Sequence, residues 1–396
     1  MRDGWRRVRI GEVARLDLDR VVVRASDSYQ IAGVLNSGRG LLTRECVRGS
    51  ATRYSVLYRL GADQLVVRKL TAWEGTIAIV PPENDGMYVS PEFPTFTLGP
   101  DLLPGYMRLL CRQPALWAAM KERSTGTVQR RKRVNPDQLL RIEIVLPPMT
   151  EQRRIVDLIG SIDAARERER ELADATSAAR VGLLGTLLMN REGWTEALLG
   201  QVAVIRIGRT PPRQDSRYWT SDLERPFCSI ADMTGTFVRP MREGVTSIAE
   251  SQGKAKRVPA GSLLLSFKLT IGRVGYAAVD LFPNEAIAWL DPDTRLLDKH
   301  YLGLWLGHQD LRATSGRAVK GQTLNARSLR AIPVAFPSLT EQRHIADLVE
   351  SVDEATETAK RAEAALSSLR VSLLEELLSG SLELPSSYDR FLDAAS

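Results

Sequence analysis

Cations cluster at matching places in the two halves of this chain, beside residue types that handle phosphates and base edges. Arg130-Arg131-Lys132-Arg133 closes a segment that opens Ser124-Thr125-Gly126-Thr127. The corresponding later segment, 315–325, carries Arg317, Lys320, Gln322 and Asn325, with Arg327 just beyond. A glycine-containing loop lets backbone come close to phosphate, while guanidinium and amide side chains can donate in pairs to guanine or adenine edges. A second pair of candidates follows an internal strand in each half: Arg68, Lys69 and Trp73 in the first, Lys268, Thr270 and Arg273 in the second. One such cluster alone would read as a solvated basic face. Recurrence at equivalent positions favours a nucleic-acid surface.

Signatures of catalysis do not accompany these cations. There is no GxxxxGK[ST] phosphate loop and no strand-linked GxGxxG fingerprint, and Gly272-Arg273-Val274-Gly275 reads as a turn. Pro136-Asp137 followed by Glu143-Ile144-Val145 lacks the lysine of a nuclease carboxylate cluster, so a helix cap and a strand are expected there. Cys46, Cys111 and Cys228 lie far apart, and His300, His308 and His344 have no metal-ligand spacing. Neither a disulfide framework nor a metal site is expected. The charged start at Arg2 and Asp3 gives no signal-peptide pattern, and no stretch approaches the roughly 20 apolar residues that span a bilayer. A reduced, cytoplasmic setting without membrane contact follows as the expectation.

The elements that must position these residues are written twice. Thr150-Glu151-Gln152-Arg153-Arg154-Ile155 returns 190 positions later as Thr340-Glu341-Gln342-Arg343-His344-Ile345. Gly4-Trp5 is echoed by Gly193-Trp194, while the stretches between barely resemble each other. A frame kept with its contents allowed to diverge suggests two similar readers of two different things. At 396 residues the chain exceeds one ordinary core, and with 43% hydrophobic and 26% charged residues it has globular composition. The net charge of +6 is mild, so its placement matters more than its size.

Each half reads as a short opening strand, from Trp5 or Trp194, then a Gly-, Pro- and β-branched-rich region. Strands are expected at Gln64–Lys69, Thr76–Pro81, Glu92–Leu98, Ser262–Lys268, Gly272–Val279 and Ala286–Leu290. Apolar helical stretches are expected at Tyr106–Arg123 and His300–Thr314, then proline-ended strands at Ile142–Pro148 and Ile332–Pro337. After each comes a long amphipathic helix: Ile155, Leu158, Ile159 and Ile162 start one apolar stripe, Ile345, Leu348, Val349 and Val352 the other. Small seam residues favour close antiparallel pairing of the two helices over docking of each on its own domain. About 40 residues rising 1.5 Å each make a rod of about 60 Å. The fold class is α+β: two globular domains alternating with two long helices in an antiparallel coiled coil, with a pseudo-twofold repeat. Val156, Val181, Leu184 and Leu188 lie off the first seam, and Val371, Leu374 and Leu378 off the second. An extra apolar strip on a two-helix rod is expected to dock protein partners, unless these residues pack on the chain's own domains.

The paired words TEQRRI and TEQRHI, each after a proline-ended strand and opening a long helix, together with the opening Gly-Trp pairs and Gly321-Gln322-Thr323-Leu324-Asn325, resemble the specificity subunit of type I restriction–modification enzymes. The resemblance spans essentially the whole chain. It implies target-recognition domains over 1–149 and 191–338, spacer helices over 150–190 and 339–380, and a tail over 381–396. It further implies a non-catalytic subunit that reads a bipartite, asymmetric site in double-stranded DNA. Two modification subunits would dock on the helices and methylate adenine, with restriction or translocase subunits as further candidate partners. No cofactor is expected on this chain, S-adenosylmethionine belonging to the modification subunits. Two other functions stay open at this point: a self-contained DNA methyltransferase or nuclease, and a coiled-coil scaffold that binds only proteins.

Overall fold

The computed structural model describes residues 2–125, 132–189, 192–311 and 324–394. The chain forms two compact units, one from Met1–Arg168 with Ala362–Ser396 and one from Glu169–Arg361. Each is α+β, and both are built on one frame.

In the first unit the frame is a four-stranded antiparallel sheet in the order Ala14–Leu16, Thr95–Leu98, Leu65–Val67, Ile77–Ile79. In the second the order Ala203–Ile207, Ile287–Pro292, Leu263–Ser266, Val274–Ala277 repeats it, with Phe237–Val238 added in parallel at the edge. A separate two-stranded pairing closes each unit, Arg6–Arg9 against Glu143–Leu146 and Thr195–Leu198 against Pro333–Phe336. Divergence is concentrated in what is inserted between the first and second frame strands in chain order. Residues 17–64 supply most of a second, five-stranded sheet, including the hairpin Ser28–Val34 with Leu41–Arg48. Residues 208–262 supply instead short strands and the helix Ser247–Ser251. The apolar stretch expected to run Tyr106–Arg123 divides into Pro104–Cys111 and Pro114–Glu122. Pro114 lacks the N–H a continuing helix would use, and it starts the second segment instead.

Two helices of 41 residues, Met149–Met189 and Leu339–Ser379, each contribute one portion to each unit. Within the first unit Asp163 meets Arg370 at 2.6 Å and Arg166 meets Glu363 at 2.8 Å, so rising numbers on one helix face falling numbers on the other. Within the second, Thr176 meets Thr356 at 2.8 Å and Arg180 meets Asp353 at 2.5 Å, again antiparallel. The start of one helix and the end of the other line each core. Ile155, Ile159, Leu374 and Leu377 pack with Phe96 and Tyr106, and Ile345, Val349, Leu184 and Leu188 pack with Tyr301 and Trp305.

The repeated glutamine shows why its word recurs. Gln152 is fully buried, accepts from the Leu103 N–H at 2.9 Å and donates to the Asp101 and Pro147 carbonyls at 2.8 and 3.0 Å. Gln342, equally buried, accepts from the Asp298 N–H at 2.7 Å and donates to the Leu296 and Pro337 carbonyls at 2.9 and 2.8 Å. A buried amide with both ends satisfied fixes where each helix leaves its domain.

Candidate nucleic-acid interface

In the first unit the two basic segments singled out in the sequence converge. The chain leaving strand Leu65–Val67 runs beside the chain approaching the helix Pro136–Leu140. The Val134 N–H donates to the Lys69 carbonyl at 3.0 Å, the Thr71 N–H donates to the Lys132 carbonyl at 3.3 Å, and Leu70 pairs with Arg133. Backbone hydrogen bonding therefore gathers Arg68, Lys69, Lys132 and Arg133 into one ledge. Arg133 reaches Glu92 at 3.2 Å, and with Arg68 it lines a cavity of about 520 Å³ that also has Arg44, Tyr54 and Phe93 on its wall. Cations beside accessible rings suit a polyanion that carries flat bases. Arg44, Tyr54 and Phe93 were not found from sequence. The first two belong to the divergent insert, which has no counterpart in the other half to mark them. Trp73, in the 3-10 turn Ala72–Glu74, is half-buried outside that cavity lining.

The second unit repeats the ledge's backbone. The Phe267 carbonyl accepts from the Leu324 N–H at 3.1 Å, as the Lys69 carbonyl does from Val134. Lys268 and Thr270 lie in the loop that follows. Glu285 nearby is held below the ordinary carboxylate range by a hydrogen bond from the Thr210 hydroxyl, then by the charges of Lys268 and Arg213, against the opposing effect of partial burial.

Two of the expected DNA-binding residues, Arg273 and Asn325, make structural hydrogen bonds. Arg273 donates from its guanidinium to the Ile230 carbonyl at 3.1 Å, bracing the loop against the 3-10 turn Ile230–Asp232. The Asn325 side-chain oxygen accepts from the Arg327 and Ser328 N–H groups, both at 2.9 Å, as the cap of helix Ala326–Arg330. An Asx-type cap satisfies helix donors that otherwise lack partners, which explains an asparagine there without invoking DNA. Arg130, Arg131, Arg317, Lys320 and Gln322 lie outside the described residues.

Most of the apolar strip expected to meet partners packs within the chain. Leu184, Leu188 and Leu374 are buried, because antiparallel pairing seats the end of each helix in the core that the start of the other helix lines. Val156 and Leu378 are half-buried against the first core. Val181 and Val371, at equivalent positions of the repeat, stay exposed at 69% and 62%.

Burial pushes the Cys111 and Cys228 thiols up to about 12, keeping both protonated at neutral pH. Among the described residues no group of three or more His, Cys, Asp or Glu side chains could hold a metal ion, and no helix is long and apolar enough to cross a membrane.

A duplicated α+β frame, with a basic ledge on the first copy and the ledge's backbone repeated on the second, defines the class as an internally repeated α+β protein with two long helices. Residues 191–366 match the family model described as "Type I restriction modification DNA specificity domain". The chain is 23% identical over 320 residues to the type I restriction enzyme EcoBI specificity subunit of Escherichia coli, covering 71% of this chain and 64% of that one. It is 20% identical over 272 residues to the putative type I restriction enzyme MjaX specificity subunit of Methanocaldococcus jannaschii, covering 63% and 62%. The matches thus span less than two thirds of either relative. The fold is similar to that of the HsdS subunit from Thermoanaerobacter tengcongensis, with a TM-score of 0.55 at 22% identity over 96% of this chain and 98% of that one. It is also similar to a chain from a structure of the type I restriction–modification system described for complex assembly and conformational transition, with a TM-score of 0.60 at 22% identity over 96% and 99%. Residues 191–366 thus match the specificity domain of type I restriction–modification systems, and the fold of the whole chain is that of the HsdS subunit.

Proposed function

We propose that this chain is the non-catalytic DNA reader and scaffold of a type I restriction–modification complex. The carrying observation is the ledge of Arg68, Lys69, Lys132 and Arg133, gathered by backbone hydrogen bonds from segments far apart in sequence. Such a ledge supplies phosphate contacts for affinity, and the differing inserts on a common frame supply different base contacts in each unit. The DNA site is therefore bipartite and asymmetric, read by recognition domains over 1–149 and 191–338. The helices over 150–190 and 339–380 act as spacer and as the docking surface for two adenine methyltransferase subunits, which carry S-adenosylmethionine. The exposed and equivalent Val181 and Val371 support two matching docking points. Restriction subunits join where the system cleaves, and the complex works in the cytoplasm. Reading without chemistry is supported by the likeness of residues 191–366 to a DNA specificity domain.

The test is a salt titration of DNA binding by the full chain, alone and with Arg68, Lys69, Lys132 and Arg133 all replaced by Ala. Removing these cations should flatten the slope of log affinity against log salt by about 0.9 for each phosphate no longer neutralised. An unchanged slope would remove the ledge from the interface. Native mass spectrometry with the modification subunit should show two copies per chain, and a single copy would contradict the paired scaffold.

A further inference from the structure

One residue of the second unit is presented to solvent by an unusual backbone. Leu269 has φ 60°, in the left-handed region that side chains other than glycine's rarely adopt, and it is 81% exposed. Its neighbours two places away are anchors: Phe267 and Ile271 are 1% and 9% exposed. Single exposed leucines are common and carry no message by themselves. This one sits in a loop braced to hold it out. The Ser266 hydroxyl donates to the Thr270 carbonyl and accepts from the Arg273 N–H at 2.9 Å, the Gly272 N–H donates to the Ser266 carbonyl at 2.9 Å, and the Arg273 guanidinium ties the loop to Ile230. An outlying backbone conformation persists only where the surroundings over-determine it, and such positions cluster at functional sites.

The other unit provides an internal control. Lys69 accepts from Val134 as Phe267 does from Leu324, and its N–H donates to Glu92 as that of Phe267 does to Ala286. Two residues on, Thr71 has φ 56°. The backbone device is therefore common to both units, while the residue displayed differs. Thr71 is half-buried and its hydroxyl is enclosed without a partner, so the apolar tip belongs to the second unit alone.

We propose that Leu269 is a specificity-determining contact of the second unit, packing on the C5-methyl group of a thymine in the major groove. Resting on the DNA-reading role above, the inference follows from what the tip offers and what DNA offers. Lys268 stands beside Leu269 for phosphate, while the leucine carries no hydrogen-bonding group. The thymine methyl is the apolar group that the major groove presents.

The test selects a randomised duplex library with the full chain and with Leu269→Ala and Leu269→Gly variants, once with thymine and once with uracil throughout. Wild type should prefer thymine at one position of one half-site by about fourfold, the worth of one buried methyl group. That preference should vanish in both variants and in the uracil library, with the other positions and the salt slope unchanged. Leu269→Gly should melt at or above the wild-type temperature, since glycine adopts this backbone freely, which separates a missing methyl partner from a damaged fold. Variants that select the wild-type site with its thymine preference intact would overturn the Leu269 assignment and leave the DNA-reading role standing. Failure of the wild-type chain to enrich any sequence would overturn both.

Discussion

At the scale of single residues, chemical type proved a weaker guide than hydrogen-bonding environment. Asn325 has the side chain of an adenine reader, yet its oxygen is committed to two helix N–H groups. Asn325→Ala should therefore lower stability by about 1 kcal/mol, the usual cost of removing a cap, without altering which DNA sequence is selected. Calorimetry beside a binding selection measures both, and a changed preference at one base position would restore Asn325 to the interface. Cations of the first ledge were legible because they are runs in the sequence. The wall of the adjoining cavity was not, since Arg44 and Tyr54 come from an insert that nothing in the other half repeats.

Among the elements, the repeated words identified what holds the frame. Both long helices, the proline-ended strands and the internal strands of each half were legible from period and punctuation. The five-stranded sheet that includes Asp19–Val22 and Leu41–Arg48 was not. Much of its hairpin faces water, with Leu41–Arg48 mostly exposed, so the alternation that marks a half-buried strand is missing. For Leu184, Leu188 and Leu374, of two readings the sequence left open, the burial favours packing on the chain's own units. A helix pattern shows that a face is apolar but not whether a partner or its own domain covers it. The buried glutamines give the element-scale prediction. Gln152→Ala leaves the Leu103 N–H and two carbonyls unpaired and should destabilise the first unit by about 3 kcal/mol, and Gln342→Ala the second by a similar amount. Calorimetry should show a different transition moving in each variant. Losses below about 1 kcal/mol in both would mean water replaces the amide at little cost.

For the whole molecule, the segment after the second long helix is part of the first unit's structure. Arg154 holds Asp389 through two hydrogen bonds of 2.6 Å, Tyr388 donates to Asp157 at 2.7 Å, and Leu384 is buried in the first core. The Arg154 guanidinium keeps the Asp389 carboxyl below its ordinary range. The pair's contribution is thus complete at neutral pH and is lost as pH falls through the carboxylate range, below about pH 4. Amide exchange over 380–394, normalised to intrinsic rates, should lose protection on acidification, and Arg154→Ala should show the same loss at pH 7. Protection indifferent to both would detach the segment's order from this pair. The division of the chain has a further consequence for the order of assembly. The second unit is one uninterrupted stretch, Glu169–Arg361, whereas the first joins Met1–Arg168 to Ala362–Ser396. During synthesis the second unit can close while the first still lacks Leu374, Leu377 and Leu384, so the half translated first is completed last. Until those leucines emerge, Ile155 and Ile159 lack part of their cover, and the nascent chain is most exposed to mispairing and proteolysis at its earliest-made domain. An already folded second unit shortens the effective loop that joins the two pieces of the first, easing the closure that completes the protein.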